Sequence, residues 1–137
     1  MEALPEKKAI VVVEDNQPIA ELIKDTLNAE PDYQAVAVHD GARAVETIRS
    51  LKASLVLLDL DLPGLNGLDL YDILQDDPST QNIPVIFVTA NASRKDFHAR
   101  RFEYVIEKPF DLDELLDRVG VILRPEDRAH LKTRDVS

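Results

Sequence analysis

A chain of 137 residues, 45% of them hydrophobic, fits one globular domain with a core of its own. The absence of cysteine excludes disulfides, thiolate nucleophiles and cysteine-ligated zinc. A formal charge of −10 opposes direct contact with nucleic acid, and it suits either plain solubility or a site that holds a divalent cation and meets a basic partner.

The first element in chain order is an apolar run at 9–13, predicted as a strand. Residues 17–29 follow with Ile19, Leu22, Ile23 and Leu27 at helical spacing, and Pro18 is tolerated in the first turn. A second strand is predicted at 33–38. Residues 41–51 then place Ala44, Val45, Ile48 and Leu51 on one helix face. The third strand, 55–58, precedes a helix at 67–75 that carries Leu68, Leu70, Tyr71 and Leu74. After a fourth strand at 85–88, Ser93 and Asp96 read as a capping box for a fourth helix at 93–101, with Phe97 and Arg101 four apart. A fifth strand is predicted at 104–106. The fifth helix, 112–123, aligns Leu115, Leu116, Val119 and Ile122, with Asp111 and Glu114 able to cap its start. Pro125 ends that helix, so residues 1–124 read as the domain and 125–137 as a polar tail or the start of a linker. Residues 1–8 are too polar for a signal peptide, and no apolar run approaches the roughly 20 residues that span a bilayer. A cytoplasmic protein with no membrane contact is expected.

Strands alternating with helices imply right-handed crossovers and a parallel sheet covered on both faces. The continuous, β-branched apolar runs agree with that. The five-stranded doubly wound order is 2-1-3-4-5, as in flavodoxin-like folds, and ligands there bind beyond the carboxyl ends of the strands. Strand one ends in Glu14 and Asp15, strand three in Asp59, strand four in Thr89, and strand five near Lys108. Three carboxylates therefore converge where strands one and three adjoin. Such carboxylates repel unless a cation joins them. Mg²⁺, with its preference for a few carboxylates and phosphate oxygens, is the natural ion. An Asp in that setting can act as a nucleophile toward phosphorus, with Lys108 and the Thr89 hydroxyl meeting phosphoryl oxygens. Each residue also has a plain reading. Glu14 and Asp15 suit the dipole of the following helix, Asp59 suits a turn before Pro63 and Gly64, Thr89 suits a strand, and Lys108 suits solvent. Their joint placement at strand ends favours a site.

The stretches VVVED (11–15), LVLLDLDLPGLNG (55–67), VIFVTA (85–90) and EKPFD (107–111) resemble the response-regulator receiver family of two-component signalling, over about residues 9–123. The resemblance implies a CheY-like fold with five helices. It implies Asp59 as phosphoacceptor and as one Mg²⁺ ligand, beside Asp15 directly, Glu14 through water, and Asp61 through its backbone carbonyl. Thr89 would contact the phosphoryl group and move on activation. Lys108 would pair with the phosphoryl group, and Pro109 would follow through a cis bond. Such a domain catalyses its own phosphorylation and dephosphorylation and is not otherwise an enzyme. Its donor would be a histidine kinase or a histidine phosphotransfer protein, and its output an unknown downstream protein or a homodimer through the face of the fourth helix, fifth strand and fifth helix. Asp61 and Asn91 occupy positions that tune phosphoryl lifetime in the family.

Two departures fall on that face. The stretch from Thr89 to Lys108 is shorter than usual, with Arg100, Arg101 and Phe102 where the family closes its fourth helix, so a short or irregular helix is expected. Val105 stands three before Lys108, where the family has an aromatic residue. Tyr104 beside it should point to the opposite face. Two other readings stay open. One is a phosphatase of the haloacid-dehalogenase type, which Asp59-Leu60-Asp61 resembles. The other is an interaction module that works without phosphorylation.

Overall fold

The structure is a computed structural model that describes residues 7–62, 66–90, 102 and 104–124. Strands Lys8–Val13 (β1), Tyr33–Val38 (β2), Leu55–Asp59 (β3), Val85–Thr89 (β4) and Val105–Glu107 (β5) form one parallel sheet of order β2-β1-β3-β4-β5. The described helices are Gln17–Asn28 (α1), Gly41–Leu51 (α2), Gly67–Asp76 (α3) and Leu112–Leu123 (α4). The last of these is the helix expected fifth. The expected helix at 93–101 lies outside the described residues, as do Asn91 and the tail.

Every residue of β3 and β4 is buried, which is why these strands read as unbroken apolar runs. The pleat splits their side chains between two layers. Val11, Val13, Val56, Leu58 and Phe87 meet Ala44 and Ile48 of α2 and Leu70 and Leu74 of α3. Ile10, Val12, Leu57 and Ile86 meet Ile23 and Leu27 of α1 and Leu115 and Val119 of α4.

Asn16, Asp40, Asn66 and Asp111 cap the four helices, each side chain accepting a backbone N–H of the first turn. The caps of α1 and α2 follow β1 and β2 within three residues, so these helices start over the rim where their strands end.

Two apolar positions depart from the predicted stripes. Leu22 is 54% exposed, because α1 faces the sheet through Ala20, Ile23 and Leu27, and Leu22 lies a full helical step to one side of Ile23. Leu51 is 42% exposed at the last position of α2, where no further turn shields it.

β5 starts one residue later than expected, although the Tyr104 carbonyl still accepts the Phe87 N–H at 2.9 Å. Val105 packs in the α2–α3 layer and Tyr104 in the α1–α4 layer, as the pleat requires. Phe102 returns to Val105's layer. Its ring lies 4.3 Å from that of Phe87 and 5.0 Å from that of Tyr71.

The end of α4 is held at the opposite pole from the strand ends. Lys8 Nζ donates to the Leu123 carbonyl. The Arg124 guanidinium lies 4.7 Å over the Tyr33 ring and pairs with Asp32 at 3.3 Å and Glu30 at 3.6 Å. Ion pairs this open are weak, and the ring contact adds a comparable amount. Arg124→Ala is expected to cost about 1 kcal/mol. Hydrogen exchange should quicken in the last turn of α4 and stay unchanged in β3.

Candidate functional site

The parallel ladders carry each candidate side chain to one rim. Glu14 N donates to the Val38 carbonyl at 3.0 Å, one step beyond the last β1–β2 pair. Lys108 N donates to the Thr89 carbonyl at 2.7 Å, one step beyond the Thr89–Glu107 pair. Asp59 closes β3 opposite Val88, with Thr89 buried one residue further along β4. The Lys108–Pro109 peptide is cis.

Glu14, Asp15 and Asp59 each bring a carboxylate oxygen within 4.8 Å of the others. Glu14 is 2% exposed and Asp59 3%, so both charges need a partner. Lys108 Nζ supplies one, at 2.9 Å from Glu14 Oε1 and 3.4 Å from Asp59 Oδ2. Asp15 is exposed. Asp59 Oδ1 accepts the Asp61 N–H at 3.0 Å, so both oxygens of this carboxylate are oriented.

The electrostatics follow from this crowding. Burial pushes the Glu14 carboxyl up from 4.5 to about 7, the neighbouring Asp59 adds to the rise, and Lys108 opposes it. Burial alone would lower the Lys108 ammonium, but its bond to Glu14 and the charge of Asp59 outweigh it and the net direction is up. One ammonium bridges two of the three clustered carboxylates. Oxygen donors with an excess of negative charge fit a hard divalent ion such as Mg²⁺ rather than a soft metal.

Glu14, Asp15, Asp59 and Lys108, singled out from sequence, thus share one cluster. Thr89 and Asp61 flank it through the backbone contacts given above. Two residues had not been singled out. Gly67 donates its N–H to the Leu60 carbonyl at 3.1 Å, and a Cβ there would meet the Asp59 carbonyl oxygen at 2.7 Å and Leu60 Cα at 2.8 Å. The glycine closing the LDLPGLNG stretch was the available signal. His39 places Nδ1 3.1 Å from the Glu14 carbonyl oxygen, and no local pattern announces that.

A doubly wound sheet with an acidic, lysine-bridged cluster at its switch point defines the class as an α/β domain with a candidate cation site, and comparison with known proteins specifies the family. The response regulator receiver domain family matches residues 10–120. The chain is 34% identical to the DNA-binding response regulator MtrA of Mycobacterium tuberculosis, over 88% of this chain and 53% of MtrA. It is 31% identical to the polar-differentiation response regulator DivK of Brucella anthropi, over 82% of this chain and 93% of DivK. Among solved structures, the non-phosphorylated HemR receiver domain from Leptospira biflexa superposes with a TM-score of 0.76 at 30% identity, over 86% of this chain and 95% of that one. The chain belongs to the response regulator receiver family of two-component signalling. It spans about half the length of the MtrA relatives it matches. Among the described residues, no helix is long and apolar enough to cross a membrane.

Proposed function

We propose that the rim is a phosphoacceptor site, with Asp59 taking a phosphoryl group from a phosphohistidine donor on a histidine kinase or phosphotransfer protein. The observation that carries this reading is the cluster of Glu14, Asp15 and Asp59 within 4.8 Å, bridged by Lys108. An Asp59 carboxylate oxygen attacks phosphorus. The new O–P bond forms as the N–P bond breaks, and that bond's electron pair stays on the donor imidazole. Little else is asked of the protein than position and charge. The Asp61 N–H and Lys108 set the plane of the attacking carboxylate. Lys108 meets a phosphoryl oxygen, and the Thr89 hydroxyl donates to another. Mg²⁺ would be held by Asp15, Asp59 and the Asp61 carbonyl, with Glu14 reached through water, and when bound it supplies positive charge against the phosphoryl oxygens.

Residues 1–124 form the receiver, and residues 125–137 a tail or linker. The added phosphoryl charge shifts Thr89 between two arrangements and so changes which protein binds. The domain itself makes no direct contact with nucleic acid.

Incubation with acetyl phosphate and excess Mg²⁺ is expected to give a hydroxylamine-labile acyl phosphate, and Asp59→Asn none. A parent protein that acquires no phosphate, from acetyl phosphate or from purified kinases, would instead be a module that works without phosphorylation. Turnover of a generic phosphate ester would point to a phosphatase.

A further inference from the structure

We infer that His39 is a positioning residue for the cation site, holding the Glu14–Asp15 turn by its backbone; this rests on reading Glu14, Asp15 and Asp59 as that site. The β1–β2 ladder runs to Glu14 N on the Val38 carbonyl. At Asp40 the chain has already turned to cap α2, its side chain accepting the Arg43 N–H at 2.9 Å. The His39 ring supplies the next donor from its side chain, Nδ1 to Glu14 O at 3.1 Å. A carbonyl oxygen only accepts, so Nδ1 carries the hydrogen and the tautomer is set by this contact.

The consequence falls on Asp15. The Glu14 carbonyl and the Asp15 N–H belong to one planar peptide unit. Fixing the carbonyl therefore fixes the direction in which Asp15 leaves the strand. Glu14 and Asp59 are buried and held by packing, whereas Asp15 is exposed and depends on its backbone for position. On the far side, Asn16 caps α1 by accepting the Ile19 N–H at 3.0 Å. The turn is thus tied at both ends: on the strand side Val38 holds the Glu14 N–H and His39 holds the Glu14 carbonyl of the peptide that leads into Asp15. Partners that orient a ligand in this way commonly change metal affinity by about 10–100-fold when removed.

The test is Mg²⁺ titration calorimetry on the metal-stripped full chain at one pH, with thermal unfolding in chelator to follow the fold. His39→Leu keeps bulk and removes the donor. His39→Asn removes the ring and keeps an amide donor at the Nδ1 position. The expected result is about tenfold weaker binding for His39→Leu, and affinity within about threefold of the parent for His39→Asn. The inference is overturned if His39→Leu binds like the parent, or if both variants lose affinity alike. A parent that binds no Mg²⁺ overturns the site reading and this inference together, and that result is distinct from equal binding by all three proteins.

Discussion

Gly67→Ala is expected to lower unfolding stability by about 3 kcal/mol, the upper end of the cost of forcing atoms into a packed region. The value sits high because of what the new methyl group meets. A Cβ at Gly67 lies 2.7 Å from the Asp59 carbonyl oxygen and 2.8 Å from Leu60 Cα, both backbone atoms that cannot swing aside as the tip of a side chain can. The Gly67 N–H also bonds the Leu60 carbonyl at 3.1 Å, which ties the start of α3 to the end of β3. Relief therefore requires α3 to lift from β3 or the residue after Asp59 to move. A urea midpoint clearly below that of the parent, with the slope unchanged, would show the cost. Because the displaced backbone is that of Asp59 itself, acyl phosphate formation should fall further than stability alone accounts for. A variant with the parent's midpoint would show that the connection yields freely.

The metal-free protein is expected to lose stability as pH rises from about 4.5 through about 7, and excess Mg²⁺ is expected to remove that loss. Glu14 sits at about 7 in the fold against 4.5 ordinarily, first because it is buried and then because Asp59 lies beside it. The folded protein thus keeps a proton that the unfolded chain releases. A carboxyl group raised in this way stabilises the fold fully below its ordinary value, and that contribution disappears as pH climbs through the folded one. Lys108, at 2.9 Å from Glu14 and 3.4 Å from Asp59, offsets the repulsion without abolishing it. A divalent ion binds the ionised form, so it competes with the proton and cancels that loss. Urea midpoints across that window, in chelator and in Mg²⁺, measure both effects. Glu14→Gln, which cannot ionise, should flatten the chelator series. Equal slopes in Glu14→Gln and the parent would place the titrating group elsewhere.

Much of the molecule was legible in the sequence because its signals are local or are repeated along one element. The apolar runs that became β1, β3 and β4 are continuous because helices cover both faces of the sheet. The start of α4 was readable from Asp111, since a cap acts within one turn. Glu14, Asp15, Asp59, Thr89 and Lys108 could be placed at one rim from sequence because each lies at or just beyond the carboxyl end of a strand, whatever lies across from it. Contacts between distant parts of the chain were decided by the tertiary structure. Lys108 meets Glu14 across 94 positions, and the meeting depends on sheet order and register. His39 reaches a backbone carbonyl 25 positions away, to which any suitably placed donor could bond. Phe102 joins Phe87 and Tyr71 although its own surroundings in the sequence predict no such partners. Leu22 and Leu51 have the spacing of a buried stripe, yet exposure depends on how each helix is rolled on the sheet and where it ends. Periodicity and strand-end chemistry are written along the chain, whereas the pairing of one strand end with another exists only once the sheet has formed.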